Sequence, residues 1–121
     1  MSIFALNDNL EKVKVIRLTK KLSCAGHDIT QFTWTRKELT AAGVGLALNR
    51  YAIIGFDFGY TDYPEQWYSY MMDILDSSGS LSVYPRPYID TWTGQVVVSF
   101  YNSDSSAQAV TVRVTLLQVA E

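Results

Sequence analysis

The chain has 121 residues and a mass of 13.6 kDa, which is enough for one ordinary domain and too little for two. Hydrophobic residues make up 48% of it and charged residues 18%, which excludes a disordered chain. No apolar run reaches the roughly 18 residues of a membrane-spanning helix. The net charge of −2 hides an uneven distribution of charge. Residues 1–50 contain eight basic and four acidic residues, whereas residues 51–121 contain two basic and eight acidic residues.

The N-terminal residues predict an arm and then a first strand. We expect residues 1–12 to form an arm or a short helix, and residues 13–121 to form a single β-sandwich domain. The first strand is predicted at Val13–Leu22 from its β-branched and apolar residues. Its apolar positions change face between Val15 and Ile16, which predicts a bulge or a bend there.

A second strand and a short helix are predicted next. The strand covers Ile29–Thr35. Thr35 and Glu38 have the spacing of a helix-capping box, so one or two helical turns are expected from Arg36 up to Gly43.

The middle of the chain predicts a long strand at Tyr51–Tyr60. Glycines on its outer face are typical of a bulge or of close approach by another backbone. Shorter strands are expected at Tyr70–Leu75 and Leu81–Tyr84, with a turn at 76–80 between them. Alternation over the long strand predicts one apolar face, formed by Ala52, Ile54, Phe56, Phe58 and Tyr60.

Two further strands are predicted at the C-terminal end. Gln95–Tyr101 is rich in β-branched and aromatic residues, and Val110–Leu116 alternates strictly between apolar and polar residues. Small polar residues at 102–106 favour a turn between them. Residues 95–118 are therefore predicted to form a β-hairpin.

These elements predict an all-β fold. Six to eight short strands with at most one or two helical turns favour an antiparallel sandwich of two sheets, similar to a jelly roll. The predicted core consists of Phe32, Trp34, Ile54, Phe56, Phe58, Val96, Val98, Phe100, Val112, Val114 and Leu116.

Residues that could carry catalysis are few. Cys24, His27 and Asp28 contain the groups of a Cys-His-Asp triad, but no supporting motif accompanies them, and a buried cysteine beside a loop histidine is the better interpretation. The pair of Cys24 and His27 is too small for a zinc site. The carboxylates of the acidic part are interpreted as turn and solvated residues. We therefore predict no catalytic residue, no metal site and no cofactor.

Basic residues concentrate near the first predicted strand. They lack interleaved aromatics, and the sequence pI of about 5.3 disfavours nucleic acid as a partner. We interpret them as an outer charged face that protects an edge strand, formed by Lys12, Lys14, Arg17, Lys20 and Lys21. Neither nucleic-acid binding nor membrane insertion is expected.

An aromatic segment at Tyr60–Tyr70 is the main candidate for a contact surface. It contains five aromatic residues mixed with acidic and amide side chains, more than the core of a small domain absorbs. Three interpretations stay open: a cap over one end of the sandwich, a subunit interface, or a shallow site where a sugar stacks on an aromatic ring. With two residues of a neighbouring loop, the candidate contact residues are Tyr60, Asp62, Tyr63, Trp67, Tyr68, Tyr70, Asp90 and Trp92.

The strand pattern resembles small β-sandwich domains of tailed-bacteriophage appendages such as tail and head fibres. The resemblance covers residues 45–118 and lies in the segments Tyr51–Phe58, Gly94–Asn102 and Ala109–Leu117. It implies a non-enzymatic structural or attachment protein of a virion, a homo-oligomer and commonly a trimer, with other virion proteins and host-surface glycans as partners. Because the N-terminus lacks the features of a secretory signal, synthesis in the host cytoplasm is expected.

A carbohydrate-binding, lectin-like module that recognises a receptor is the alternative. In that interpretation the ring-stacking residues are Tyr63, Trp67, Tyr68 and Trp92.

Overall fold

The computed structural model describes residues 14–61, 67–69, 77–78, 81–83 and 87–119, with backbone pairing alone for 67–69 and 77–78. The predicted arm at 1–12 and the predicted strand Tyr70–Leu75 lie outside these residues. In chain order the elements are β1 (Val15–Cys24), β2 (Asp28–Trp34), α1 (Arg36–Ala41), a 3₁₀ turn (Leu48–Arg50), β3 (Tyr51–Tyr60), β4 (Trp67–Ser69), β5 (Ser77–Ser78), β6 (Leu81–Val83), β7 (Tyr88–Asp90), β8 (Gln95–Asn102) and β9 (Gln108–Gln118).

The strands form two antiparallel sheets, as the sequence predicts. Sheet 1 has the order β1-β9-β3-β4, and sheet 2 has the order β2-β8-β6-β5, with β7 also paired to β8. The first and last described strands are neighbours in one sheet, and β2 and β8 are neighbours in the other. This strand order, in which the two ends of the chain pair with each other in both sheets, is similar to a jelly roll. Nine strands are described rather than six to eight, and the shortest, β5, has two residues.

An aromatic cluster joins the two sheets. The ring of Phe100 from sheet 2 lies 5.3 Å from Phe32 of the same sheet and 4.9 Å from Phe58 of sheet 1, both in edge-to-face geometry. Phe56 stacks beside Phe58 at 5.8 Å. Burying one such side chain stabilises a fold by about 1.5–3 kcal/mol, so this cluster is a principal source of stability.

The predicted hairpin at 95–118 is wrong in its pairing, although both strands exist. β8 pairs with β2, β6 and β7, whereas β9 pairs with β1 and β3 in the other sheet. The chain therefore crosses from sheet 2 to sheet 1 between β8 and β9, and the buried side chain of Asn102 holds this connection. Its amide nitrogen donates to the Cys24 carbonyl at 3.0 Å and to the Ser106 carbonyl at 2.9 Å. Its oxygen accepts from the Asp104 amide at 3.0 Å. These bonds fix the connection between the sheets at this end.

Two predictions about strand faces are also wrong. No bulge separates Val15 from Ile16, because β1 keeps one register against β9, with Val15 outward and Ile16 buried. The irregularity lies instead in β3, between Ile53 and Gly55, and leaves Ile54 55% exposed rather than in the core. A bulge adds one residue and so reverses the faces beyond it, which the continuous alternation of β3 conceals. The other ten predicted core residues are buried.

The basic residues divide between two roles. β1 is an edge strand, as predicted, and Arg17 and Lys21 are exposed on it. The prediction of an exposed charge is wrong for Lys20, because its side chain is half-buried. Its ammonium donates to the Thr33 carbonyl and lies 2.6 Å from the Glu38 carboxylate. Lys14 likewise donates to the Gly43 carbonyl. Lys20 therefore connects β1 to β2 and α1, and Lys14, directly before β1, contacts the loop after α1.

Candidate functional site

The β7–β8 hairpin displays Trp92 at its tip. Asp90 Oδ1 accepts the Trp92 amide at 3.0 Å and the Thr93 amide at 3.3 Å, and the Asp90 carbonyl accepts the Gly94 amide at 2.9 Å. Gly94 has a φ of +73°, a conformation that side chains disfavour. The backbone of this turn is therefore well fixed, while the Trp92 side chain is 96% exposed.

The Asp90 carboxylate is adapted to this role as a turn cap. The hydroxyl of Thr93, followed by the amides of Thr93 and Trp92, donates hydrogen bonds that hold the pKa of Asp90 below its ordinary value. The carboxylate therefore stays charged near neutral pH and keeps its hydrogen bonds in the turn.

A segment after β2 forms the opposite wall. The predicted capping box is present: the Thr35 hydroxyl accepts the Glu38 amide, and the Glu38 carboxylate accepts the Thr35 amide. Downstream, the Tyr51 hydroxyl accepts the Gly45 amide at 2.8 Å. Buried side chains on both sides of Leu46 anchor the loop, yet Leu46 itself is 86% exposed.

The two walls enclose an open groove of about 360 Å³. This size lies in the range of about 300–1,000 Å³ that is usual for small-ligand sites. An exposed indole, an exposed leucine, an amide and two hydroxyls line it together with one charged group, so it offers an apolar platform and hydrogen-bonding groups. The lining residues are Arg36, Leu46, Ala47, Leu48, Asn49, Thr91, Trp92, Thr93 and Gly94.

Arg36 supplies the charge of this groove. Its Nη2 donates to the Gly45 carbonyl at 2.9 Å, and its aliphatic stem packs on Gly94, where an added Cβ would lie 3.3 Å from Arg36 Cδ. Nη1 is buried and has no hydrogen-bond partner. Among the described residues no carboxylate forms an ion pair with this guanidinium, because the ion pairs found join Lys20 to Glu38 and Arg113 to Asp57.

The candidate contact residues do not form one cluster. Asp90 and Trp92 belong to the groove wall, whereas Tyr60 is half-buried against the core at the end of β3. The backbone of Trp67 and Tyr68 pairs with Gly59 and Phe58 as β4. Asp62, Tyr63 and Tyr70 lie outside the described residues.

Tyr60 and Trp92 mark opposite ends of the sandwich. At the Tyr60 end, Tyr60 pairs with Val110, the neighbouring Thr61 amide donates to the Ala109 carbonyl, and Asn102 binds Cys24. At the Trp92 end, Arg36 joins Gly94 to Gly45, which in turn binds Tyr51 at the start of β3. Trp92 therefore does not extend an aromatic surface that includes Tyr60.

Other chemically interesting groups are built into the fold. Cys24 is fully buried, and burial raises the pKa of its thiol to about 11, which disfavours the thiolate that a nucleophile needs. Arg113 binds the Asp57 carboxylate through Nε at 2.8 Å and Nη2 at 2.9 Å, an ion pair between β9 and β3.

Two further kinds of feature are absent from the described residues. They contain no group of three or more His, Cys, Asp or Glu side chains placed to hold a metal ion. Within the same part of the chain, no helix has the length and apolarity needed to cross a membrane.

Comparisons with protein-family models, curated proteins and solved structures give no match. Function is therefore argued from the chemistry of the groove and from the strand pattern, since a fold alone does not determine function.

Sequence reasoning missed half of the groove. Arg36, Leu46 and Asn49 follow β2, far along the chain from Trp92, and only the packing of Arg36 on Gly94 brings the two segments together. A local signal exists for the other wall, because Asp90 and Gly94 are residue types that favour turns and Trp92 lies between them.

Proposed function

We propose that this protein is a non-enzymatic structural or attachment protein of a phage-like virion. The support is the strand pattern of the resemblance, whose three segments coincide with β3, β8 and β9 in a wrapped two-sheet sandwich. The sequence of the neighbouring genes tests this proposal. We expect genes for portal, tail or capsid proteins beside it, and a setting of metabolic genes without virion genes would contradict it.

The groove at Trp92 is the surface that we propose for attachment. The carrying observation is that Trp92, 96% exposed on a turn held by Asp90 and Gly94, lies in one groove with Leu46, which is 86% exposed, because exposed apolar side chains that lie together mark contact surfaces. An indole beside amide and hydroxyl groups is suited to a sugar ring, whose apolar face stacks while its hydroxyls form hydrogen bonds. A glycan on the host surface is therefore the proposed target.

Glycan binding is also the property of the second candidate function, a lectin-like module that acts outside a virion. A glycan array probed with the wild-type protein and with Trp92→Ala tests the property that both share. We expect hits that fall at least tenfold with Trp92→Ala and persist with Thr19→Ala, an exposed threonine of sheet 1. An array without hits would contradict glycan binding in both candidates, and the neighbouring genes separate the two.

We also propose a homo-oligomer, with a trimer favoured, that uses the outer face of sheet 2. Three rows of paired residues cross this face without a charged side chain, beside the row of Asp90 and Gln95 at its end. Ile29, Tyr88 and Tyr101 are exposed on this face, whereas Val97 and Ser99 are buried. The outer face of sheet 1, in contrast, carries Arg17 and Lys21. Interface centres are depleted in charge, because buried charges lose their hydration, so the face of sheet 2 suits a second copy of the chain. The rows are Thr33–Val97–Tyr88, Gln31–Ser99 and Ile29–Tyr101–Ser82.

Ile29→Lys tests the proposed subunit contact. Ile29 is 53% exposed, so a lysine there keeps the fold but places a charge at the contact. Light scattering coupled to gel filtration should give a trimer for the wild type and a monomer for Ile29→Lys. Thr19→Lys, on the outer face of sheet 1, should stay trimeric; a monomeric wild type at high concentration would contradict the proposal.

A further inference from the structure

The groove contains a positive charge, and none of the described residues supplies a counter-charge in an ion pair. Arg36 is the only charged residue among those that line it, and no described carboxylate forms an ion pair with it. An unpaired guanidinium at the wall of a groove attracts an anionic group.

The guanidinium is also held in place. One nitrogen, Nη2, is bound to the Gly45 carbonyl, and the stem rests on Gly94 in the turn that displays Trp92. A side chain fixed at both points loses little conformational entropy when it binds a ligand. Arg36 therefore presents its guanidinium to a ligand in one fixed orientation.

A second nitrogen of the same group lacks an acceptor. Nη1 is buried without a hydrogen bond, and such a buried donor is costly to the protein. A carboxylate presents two oxygens in the planar arrangement that a guanidinium prefers. Arg36 lines the groove, so its guanidinium is the cationic group that a carboxylate bound there would meet.

We propose that the groove selects a saccharide that carries a carboxylate, and that Arg36 binds this carboxylate while Trp92 stacks on the sugar ring. The inference rests on the proposed glycan binding and names the class of glycan. The apolar surface of Trp92 and Leu46 favours a ligand with a sugar ring that can pack on it, and a free inorganic anion has no such ring.

The test is an array on which each glycan with a uronic or sialic acid is printed beside its carboxyl-reduced counterpart. The two members of a pair have the same ring and differ in the charged group. We expect the wild-type protein to bind acidic members at least tenfold more strongly than reduced ones, and binding to weaken as sodium chloride is raised, since salt screens the charge pair.

Arg36→Gln separates this inference from glycan binding in general. Glutamine removes the charge but keeps a polar side chain, and a thermal melt checks that the fold is kept. The preference for acidic over reduced members should disappear in Arg36→Gln. Arg17→Gln is the matched control, because it removes the same charge from the outer face of sheet 1 and should keep the preference.

The outcomes are distinguishable. Equal binding of acidic and reduced members by the wild type would overturn the inference but leave glycan binding intact. A preference that survives Arg36→Gln would overturn the role of Arg36. If no printed glycan binds, both the inference and the proposed glycan target fail.

Discussion

Phe100 and Trp92 belong to one β-hairpin, yet their surroundings are opposite. Phe100 in β8 is fully buried and contacts aromatic rings of both sheets, whereas Trp92 in the turn before it is 96% exposed. A large aromatic side chain stabilises a fold only through the area that it buries, so the first should determine stability and the second should determine binding. The aromatic residues of the chain therefore serve two separate purposes, one in the stability of the core and one in contacts at the surface.

Removing the buried ring should have the largest effect. Phe100→Ala leaves a cavity between the sheets and should lower the free energy of unfolding by about 3–5 kcal/mol, measured by urea denaturation. Phe100→Leu fills most of that space and should cost clearly less. Equal and small losses for both variants would show that the aromatic cluster is not a principal source of stability.

A smaller effect is expected from the buried thiol of Cys24 as pH rises. Well below pH 9.0, the ordinary pKa of a cysteine thiol, Cys24 is neutral in both the folded and the unfolded state and its contribution to stability is complete. Between pH 9 and 11 the unfolded chain loses the thiol proton while the folded protein keeps it, so stability should fall by about 2 kcal/mol.

Comparison with Cys24→Ala isolates the thiol from tyrosines, which ionise in the same pH range. Urea denaturation at several pH values should show a steeper loss of stability for the wild type than for Cys24→Ala. Parallel curves would indicate that the thiol ionises as easily in the folded protein as in the unfolded one.

The sequence predicts what local patterns encode. The bounds of β3 agree with the structure to the residue, and the capping box of Thr35 and Glu38 begins the helix as expected, because both depend on neighbours in the chain. The partner of β8 was not predictable in this way. A polar turn at 102–106 is equally consistent with a hairpin and with a crossing between sheets, and the buried bonds of Asn102 decide between them.

The candidate site follows the same division. The sequence indicates Asp90 and Trp92 as contact residues of a loop near the aromatic segment, whereas Arg36, Leu46 and Asn49 join them only through the packing of two distant segments. Tyr60 was grouped with Trp92 on composition, and the register of β3 places the two at opposite ends of the sandwich.

The most direct measurement of the contrast between Phe100 and Trp92 is the free energy of unfolding of Trp92→Ala, determined by urea denaturation beside the wild type. Because the indole buries almost no area, we expect the two values to agree within about 0.5 kcal/mol. A loss of about 2 kcal/mol or more would contradict the account, since Trp92 would then be part of the packed fold rather than a displayed contact residue.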